Sequence, residues 1–524
     1  MNAKIVRRSL VVWVMLAVPL AVFGASSGPR VKTDSGIVEG TDGGAVHAFL
    51  GIPYAAPPVG DLRWKPPIPA AKWSGVRKAM EFGAHCMQGK VYGDMNFRDA
   101  GGSEDCLFLN VWVPAKVSAA KLPVMVWIYG GGFAAGSTSE GRQDGTTLAQ
   151  QGVVVVSMNY RLGIFGFLVH PELAKESGRN ATGNYGLLDQ VAALRWVHDN
   201  IAAFGGDRGN VTIFGESAGS FSVCAQMASP LARSLFQKAI GESGGAFYSG
   251  GLSFESRSVR DEQDVKAVST KLGVSTLAEL RAVQAQKLLD AFAPPQSNGF
   301  DFGPDVDGYF LPDSVPAIFS AGKQNDVPLL AGWNHDEGSF EVASSPEKQS
   351  ADSLKATAQK EFGEKATEFL RLYPSDTDPH TLRSVEDFAG DRFIAFSTWE
   401  WMESQAKTGK QPIYRYRFDL GPPADPKGPQ LGAYHSSEIE YVFGKLDSKA
   451  GIAWRTEDRQ LSAEMQKYWA NFARSGDPNG PGLAKWPAYS GTDGWPVMFL
   501  DAKSETRKDE LRERYLFLAG VWAK

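Results

Sequence analysis

The segment Gly215-Glu216-Ser217-Ala218-Gly219 constrains this chain of 524 residues more than any other part of it. It follows the apolar run 211–214 and precedes a stretch, Ala218–Ala228, that contains no helix breaker after its glycine. A serine between a strand and a helix occupies a tight turn that exposes its hydroxyl, and small flanking residues let the helix lie close to the strand. The sequence therefore predicts a strand-turn-helix unit with Ser217 as a nucleophile.

A second segment, Gly241-Glu242-Ser243-Gly244-Gly245, also fits the pattern G-x-S-x-G. It follows only the short apolar pair Ala239-Ile240 and leads into the glycine-rich stretch 244–251. The strand-turn-helix requirement favours Ser217 over Ser243.

The general base is sought among the histidines that follow Ser217, because hydrolases with this elbow carry their triad in the order Ser, Asp or Glu, His. These are His335, His380 and His435. His380 follows the turn-rich segment 375–379, which predicts a surface loop. His435 follows the strand-like run 414–418 and a loop rich in proline and glycine, so it is the favoured base.

The loop after the strand-like run 327–331 could supply either the acid or the base, since it contains His335, Asp336 and Glu337. A triad needs a carboxylate on Nδ1 of the imidazole while Nε2 faces the serine, and adjacent residues of one loop rarely achieve this. The loop is therefore predicted to supply the acid. Spacing alone leaves the choice between Asp336 and Glu337 open.

Three consecutive glycines, Gly130 to Gly132, end the apolar run 124–129. Glycine lets backbone N–H groups point at a ligand without obstruction by a side chain. Two of these amides, together with that of Ala218, could form an oxyanion hole for a tetrahedral intermediate. The alternative interpretation is a glycine-rich turn without a catalytic role.

Together with further motifs, these residues resemble the type B carboxylesterase and cholinesterase family of α/β-hydrolases over nearly the whole chain after its first residues. The further motifs are Phe49-Leu50-Gly51-Ile52-Pro53-Tyr54-Ala55, Gly60-Asp61-Leu62-Arg63-Trp64, Ser103-Glu104-Asp105-Cys106-Leu107-Phe108-Leu109-Asn110-Val111, Asn159-Tyr160-Arg161-Leu162-Gly163, Gly183-Asn184-Tyr185-Gly186-Leu187-Leu188-Asp189-Gln190, Trp196-Val197-His198-Asp199-Asn200-Ile201, Phe204-Gly205-Gly206-Asp207 and Trp469-Ala470-Asn471-Phe472.

The resemblance implies a role for each matching residue. It places the nucleophile, acid and base on Ser217, Glu337 and His435, and the oxyanion amides on Gly131, Gly132 and Ala218. It thereby selects Glu337 rather than Asp336 as the acid. It also implies that Ser243 and Glu438 lie near the triad, and Glu216, which precedes the nucleophile, is placed with them.

The resemblance further implies a disulfide between Cys86 and Cys106, and ion pairs of Arg63 with Glu104 and of Arg161 with Asp189. The third cysteine, Cys224, lies in the helix predicted after Ser217 and is expected to be a buried apolar side chain.

One departure from the cholinesterases bears on specificity. Cholinesterases carry a tryptophan in the loop closed by their first disulfide, and its ring receives the quaternary ammonium group. The corresponding stretch here, 87–105, contains Tyr92 and Phe97 but no tryptophan. The resemblance therefore implies a general carboxylesterase that acts on small-molecule esters. The alternative is a catalytically silent binding or adhesion protein, a type that the family also contains, and the complete triad counts against it.

Charge and composition indicate which classes of partner and cofactor are not expected. The net charge of −5 comes without a basic patch, so nucleic acid is not expected as a partner. No cluster of metal-ligating residues is evident in the sequence, and the expected chemistry needs no cofactor.

Residues 1–25 are predicted to be a signal peptide, because Lys4, Arg7 and Arg8 precede an apolar segment and small residues. The apolar segment is short for an uncleaved membrane anchor, and Arg7-Arg8 leaves twin-arginine export open. We thus expect a secreted or periplasmic protein without a stable membrane span, whose residues 26–524 form one domain.

The fold is predicted to be an α/β-hydrolase fold. Apolar runs at 124–129, 153–158, 211–214, 327–331 and 413–418 alternate with helical or loop segments, which predicts a mainly parallel central sheet with helices on both faces. Apolar residues between Leu187 and Ile201 recur at helical spacing and predict a core-facing helix. The charged segment 254–295 is predicted to be an insertion over the active-site mouth. The resemblance also implies that residues 305–312 line that entrance. Phe393, Phe396 and Trp399 either line the entrance too or pack in the core.

Overall fold

The computed structural model describes residues 28–116, 121–247, 254–293, 302–345, 349–424 and 428–522. The predicted signal peptide, residues 1–25, lies outside these ranges. Within them, no helix is both long and apolar enough to cross a membrane.

Eighteen strands lie in the described residues. They are β1 (Arg30–Lys32), β2 (Ile37–Glu39), β3 (Thr41–Asp42), β4 (Val46–Pro53), β5 (Val76–Lys78), β6 (His85–Cys86), β7 (Gly102–Ser103), β8 (Phe108–Pro114), β9 (Leu122–Ile128), β10 (Val154–Met158), β11 (Gly206–Glu216), β12 (Lys238–Glu242), β13 (Glu255–Ser256), β14 (Asp305–Val306), β15 (Leu329–Asn334), β16 (Ile413–Phe418), β17 (Pro496–Leu500) and β18 (Glu505–Lys508).

Eleven of these strands form one sheet in the order β18-β17-β16-β15-β12-β11-β9-β10-β8-β4-β3. The seven strands from β17 to β10 run parallel to one another. At the margins, β18 pairs antiparallel with β17, and β8, β4 and β3 continue the sheet beyond β10 in antiparallel pairs. The mainly parallel sheet of an α/β-hydrolase fold is therefore confirmed. All five predicted apolar runs overlap its strands, with up to two residues of a run lying outside its strand, and β11 begins at Gly206, five residues before the predicted run.

Seventeen α-helices accompany the strands. They are α1 (Thr146–Ala149), α2 (Gly163–Phe167), α3 (Pro171–Glu176), α4 (Tyr185–Asn200), α5 (Ala218–Ala228), α6 (Arg257–Leu272), α7 (Leu277–Ala282), α8 (Ala285–Phe292), α9 (Val315–Ser320), α10 (Ser339–Ser344), α11 (Ala351–Phe362), α12 (Ala366–Leu372), α13 (Asp378–Gly390), α14 (Phe396–Thr408), α15 (Ile439–Phe443), α16 (Thr456–Ser475) and α17 (Arg512–Trp522).

Helices cover both faces of the sheet, as a buried parallel sheet requires. Helix α5 packs on β9, β11 and β12, and α14 packs on β15 and β16. The opposite face carries α16, which packs on β9 and β11 and against α15. The central strands are consequently buried on both sides, and every residue of β10, β12 and β15 is buried.

The segment predicted to be an insertion contains three helices, α6, α7 and α8. Phe254, just before α6, contacts Phe133 at a centroid distance of 6.3 Å and Phe221 at 6.4 Å. Since Phe133 follows the glycine run and Phe221 lies in α5, the insertion begins beside the predicted site. The end of this segment, Pro294-Pro295, lies outside the described residues.

His380 lies in the first turn of α13 rather than in a loop, so this part of the sequence prediction was wrong. Thr377 caps the helix by accepting a hydrogen bond from the His380 backbone N–H, and Pro379 fits the first turn because that position needs no donor. The His380 side chain is nonetheless exposed and pairs with Asp376.

Candidate active site

Ser217 lies on a sharp turn between β11 and α5, with φ 54° and ψ −123°. The two glycines of its motif are needed because the backbone at the end of β9 passes very close to both of them. A Cβ at Gly215 would lie 2.5 Å from the carbonyl oxygen of Ile128, and one at Gly219 would lie 2.0 Å from the same oxygen. The motif therefore lets the turn pack directly against the end of β9.

The second G-x-S-x-G segment lies beside the first. Strands β11 and β12 pair so that Gly215 is opposite Gly241 and Glu216 is opposite Glu242. Ser243 is fully buried, and its hydroxyl donates a hydrogen bond of 2.6 Å to Oε1 of Glu337. Ser243 is thus in place to orient a carboxylate, and its buried hydroxyl is not presented to a substrate.

Glu337 and Asp336 point in different directions from the loop that follows β15. Oε1 of Glu337 accepts hydrogen bonds from the Ser243 hydroxyl and, at 2.8 Å, from the backbone N–H of Asn334, while Oε2 lies 2.7 Å from Nδ1 of His435. Asp336 instead pairs with Arg383 at 2.5 Å and accepts the Ala433 N–H at 2.8 Å. The loop therefore offers His435 only Glu337.

His335 is separate from this arrangement. Its Nδ1 lies 2.8 Å from Oδ1 of Asp336, and its side chain is 35% exposed. Burial would raise the pKa of Asp336, but the neighbouring His335 and Arg383 lower it overall. The pair forms a partly solvated ion-pair cluster behind the acid loop.

His435 has a carboxylate at each nitrogen. Nδ1 faces Glu337, and Nε2 lies 3.2 Å from Oε1 of Glu216, the residue before the nucleophile. Burial alone would lower the pKa of His435, but the charges of Glu216 and Glu337 outweigh it and raise that pKa. Phe393, on a π-helical turn between α13 and α14, packs edge-on against the imidazole at 4.8 Å between centroids.

Further buried carboxylates lie next to Glu216. Burial raises the pKa of Glu216 and of Glu438, and raises that of Glu242 to about 8. Glu438 accepts a hydrogen bond of 2.5 Å from the Asn334 amide, and Glu242 accepts one of 2.7 Å from the Trp469 indole. Sequence reasoning assigned no role to Glu242, although the repeated Gly-Glu-Ser at two strand ends was a signal that could have revealed it.

The proposed oxyanion donors lie where the glycine run meets the elbow. Gly131 and Gly132 have φ values of 109° and 64°, a region that favours glycine. A Cβ at Gly130 would lie 3.0 Å from that of Ser217, so the run abuts the nucleophile. Among the described residues, the N–H groups of Gly131, Gly132 and Ala218 donate to no other group.

The remaining implied pairs are present. Cys86 and Cys106 form a disulfide, and Cys224 is buried and free of any disulfide. Arg63 lies 2.6 Å from Glu104, and Arg161 lies 2.7 Å from Asp189.

Phe396 and Trp399 were predicted either to line the active-site entrance or to pack in the core. Phe396 and Trp399 are almost fully buried, yet they line a cavity of about 950 Å³ that also reaches Phe247 and Phe254. The segment 305–312 is anchored by hydrogen bonds of Asp305 with Asn184. In the part of the chain that the structure describes, no group of acidic, histidine or cysteine side chains could hold a metal ion.

Comparisons with known proteins show which family this chain is similar to. The sequence profile of the carboxylesterase family matches residues 27–517. The fumonisin B1 esterase of Sphingopyxis macrogoltabida is 38% identical over 92% of this chain and 89% of its own length. The para-nitrobenzyl esterase of Bacillus subtilis (strain 168) is 38% identical over 92% of this chain and 97% of its own. The solved structure of a thermophilic PNB esterase matches with a TM-score of 0.80 at 36% identity, over 93% of this chain and 99% of that one.

Proposed function

This chain belongs to the carboxylesterase family and is a carboxylic ester hydrolase, and from that premise we propose that it cleaves esters through an acyl-enzyme on Ser217. The observation that carries the proposal is the orientation of His435. Its Nδ1 is held by Glu337 at 2.7 Å, so Nε2 is directed to the turn that carries Ser217.

In the first half-reaction, Nε2 of His435 removes the Ser217 proton as Oγ attacks the ester carbonyl carbon. The carbonyl electrons move onto the oxygen, and the N–H groups of Gly131, Gly132 and Ala218 stabilise that oxyanion. When the intermediate collapses, the imidazolium gives its proton to the leaving alkoxide, and the alcohol departs. Water then attacks the acyl-enzyme with the same base and releases the carboxylic acid.

Glu337 fixes the tautomer and orientation of the imidazole and stabilises its protonated form. The two hydrogen bonds from Ser243 and Asn334 hold the other oxygen of this carboxylate. Glu216 places a second negative charge at Nε2, where the positive charge of the imidazolium develops. Ser243 and Glu216 are thus positioning and electrostatic residues of the same reaction.

We propose small-molecule esters other than choline esters as the substrates. Two relatives are named esterases of fumonisin B1 and of para-nitrobenzyl compounds, and the stretch between the two disulfide cysteines lacks a tryptophan for a quaternary ammonium group. A cavity of about 950 Å³ is lined in part by Phe254, which contacts Phe133 after the glycine run and Phe221 of α5, and we propose that this cavity receives a bulky apolar part of the ester.

We also propose that residues 26–524 form one domain and that the protein is exported, with residues 1–25 removed as a signal peptide. The eleven-stranded sheet, which spans β3 to β18, supports one domain. A disulfide suits an oxidising compartment. The test is fractionation of cells that express the full chain, with the N-terminus of the exported protein determined by mass spectrometry.

The function is tested by hydrolysis of p-nitrophenyl esters from acetate to palmitate, with wild type and Ser217→Ala compared. We expect the variant to lose at least a thousandfold in kcat while its circular dichroism and Tm are unchanged. Ser243→Ala is compared alongside, since Ser243 lies in the neighbouring G-x-S-x-G but only orients Glu337; it should lose roughly tenfold in kcat/KM, far less than Ser217→Ala. A fluorophosphonate probe should label wild type at Ser217 and leave Ser217→Ala unlabelled. Labelling at Ser243, or full activity of Ser217→Ala, would refute the proposal.

A further inference from the structure

The segment 130–136, which carries two of the proposed oxyanion donors, has a strained backbone. Four of its residues have positive φ: Gly131 at 109°, Gly132 at 64°, Phe133 at 60° and Gly136 at 135°. A left-handed φ is unfavourable for a bulky side chain such as that of Phe133. A conformation of this kind persists only where neighbouring groups hold it in place. The segment therefore needs partners that fix it.

The segment closes on itself through its own backbone. The carbonyl oxygen of Gly131 accepts hydrogen bonds from the N–H groups of Ala134 and Ala135, at 3.1 and 3.0 Å. A Cβ at Gly136 would lie 2.8 Å from the carbonyl oxygen of Gly130, so the two ends of the segment are in contact. A group that holds Gly136 consequently holds the loop that presents the oxyanion donors.

The side-chain amide of Gln88 holds both polar backbone groups of Gly136. Its Oε1 accepts the Gly136 N–H at 2.8 Å, and its Nε2 donates to the Gly136 carbonyl oxygen at 2.8 Å. Nε2 also donates to the carbonyl oxygen of Cys86 at 3.0 Å, which ties the amide to the backbone beside the disulfide. Gln88 thus makes the pair of hydrogen bonds to Gly136 that a neighbouring strand would otherwise make.

Asp99 makes a second contact from the same disulfide loop, residues 86–106. Its side chain is fully buried, and one carboxylate oxygen accepts hydrogen bonds from the hydroxyl groups of Ser137 and Ser139. The other oxygen lies 2.7 Å from Nδ1 of His85. Burial would raise the pKa of Asp99, but the hydrogen bonds that it accepts outweigh burial and lower that pKa to about 2. Hydrogen bonds to an ionised carboxylate are stronger than those to a neutral acceptor, so Asp99 holds the two serines firmly.

Two further contacts join the disulfide loop to this part of the chain. Nε of Arg98 donates to the carbonyl oxygen of Ser139 at 2.8 Å. A Cβ at Gly131 would lie 3.2 Å from the terminal methyl group of Met95. The disulfide closes the loop that carries these side chains, so the glycine run is supported by a chain segment whose ends are joined covalently.

We propose that Gln88 and Asp99 are positioning residues of the esterase: they hold the loop after the glycine run so that the N–H groups of Gly131 and Gly132 stay directed at the oxyanion. The inference rests on the proposed function. An oxyanion hole acts only when its donors lie at hydrogen-bond distance from the oxygen on which charge develops. Without the support, substrate would bind as before but the transition state would be stabilised less. Such a change lowers kcat and leaves KM nearly unchanged.

The first test compares kcat and KM for p-nitrophenyl acetate in wild type, Gln88→Met and Asp99→Asn. Gln88→Met keeps a side chain of similar length and removes both hydrogen bonds to Gly136, and a misplacement of about 1 Å can cost about a hundredfold in rate. We expect kcat to fall about ten- to a hundredfold in Gln88→Met and about three- to tenfold in Asp99→Asn, with KM within about twofold of wild type. Both half-reactions use the same oxyanion hole, so acylation and deacylation should slow together.

Gln237→Met is the matched control. The Gln237 amide also bridges two backbone groups, since it accepts the Val211 N–H at 2.8 Å and donates to the carbonyl oxygen of Ser234. It lies just before the amino end of β12, whereas the site lies at the carboxyl ends of the strands. Its kcat and KM should match those of wild type.

A trifluoromethyl ketone tests the oxyanion hole directly. Oγ of Ser217 adds to the ketone carbon, the carbonyl electron pair moves to the oxygen, and His435 takes the serine proton, so the adduct places an oxyanion among the donors. Its affinity should fall in Gln88→Met by about the same factor as kcat/KM. The affinity for the corresponding methyl ketone, which resembles the substrate, should not change.

Hydrogen–deuterium exchange in the Ser217→Ala background reads the loop without turnover. Peptides that cover 130–139 should exchange about threefold faster or more in Ser217→Ala/Gln88→Met than in Ser217→Ala, and no faster in Ser217→Ala/Gln237→Met. If Gln88→Met raises exchange throughout the chain, Asp99→Asn in the same background decides by the same criterion. Unchanged exchange of these peptides, or wild-type affinity of Gln88→Met for the trifluoromethyl ketone, would overturn the inference. Because exchange does not depend on hydrolysis, failure of the esterase mechanism would appear only in the kinetic assays.

Discussion

Replacement of Glu216 by glutamine should shift the acid limb of the pH profile of kcat/KM to lower pH. The charge of Glu216 lies 3.2 Å from Nε2 of His435 and stabilises the imidazolium. Its removal makes His435 easier to deprotonate, so the neutral base persists at lower pH. The plateau of kcat should fall as well, because the same charge stabilises the imidazolium that forms in the transition state.

The distance sets the size of the shift. Two unit charges 3.2 Å apart interact by about 1.3 kcal/mol at an effective dielectric constant of ~80 and by about 5 kcal/mol at ~20. At about 1.4 kcal/mol per pKa unit, these values correspond to a shift of about 1 to 4 units. Since the glutamine amide can still hydrogen-bond to the imidazole, we expect a result near the lower end, about one unit.

The assay is the initial rate of p-nitrophenyl acetate hydrolysis from pH 5 to 9, corrected for buffer hydrolysis and read at the isosbestic wavelength of p-nitrophenol. Glu341→Gln is the control, because it removes the same charge from an exposed position on α10 near Phe393. Its acid limb should coincide with that of wild type. If the acid limb of Glu216→Gln also coincides with wild type, Glu216 does not act on Nε2 and the electrostatic reasoning is wrong.

Three further predictions concern the supports of the site. Ser243→Ala removes one of three hydrogen bonds to the triad carboxylate. Because a hydrogen bond to a charged group contributes about 1.5 to 3 kcal/mol, kcat/KM should fall roughly tenfold or more, and wild-type kinetics would contradict this. Arg161→Met leaves Asp189 buried without its partner, so urea unfolding should show a loss of about 3 to 5 kcal/mol, and an unchanged midpoint would refute the assignment of this pair to stability. The double variant Cys86→Ala/Cys106→Ala opens a loop with a sequence separation of 20, and its free energy of unfolding should be about 3 kcal/mol lower than that of wild type. Equal stability of the variant and oxidised wild type would show that the bridge does not constrain the unfolded chain.

Local patterns in the sequence were sufficient to predict many of the strands and helices. The run 413–418 predicted β16 with its observed bounds, and the stripe from Leu187 to Ile201 predicted α4. Strand and helix periodicity depend on neighbouring residues, so a single sequence reveals them. The same holds for the elbow at Ser217, where strand, turn and helix are contiguous. At Thr377 the local signal was also present, as a helix cap followed by proline, but it was interpreted as a loop.

Only the tertiary structure decided which groups meet at the site. Asp336 and Glu337 are adjacent in the sequence, and their roles separate because Arg383 attracts one while Ser243 and Asn334 hold the other. The resemblance to a known family selected Glu337, but the residues themselves left the choice open.

Glu216, Glu242, Gly332 and Tyr416 share one register across β11, β12, β15 and β16, and this row was likewise invisible in the linear sequence. Register between parallel strands places residues that are far apart in the chain at one level of the sheet. The chain determines its strands through local periodicity, but the alignment of their ends depends on the packing of helices and loops between them. That alignment decides which charges share one buried space, and those charges set the protonation of the histidine.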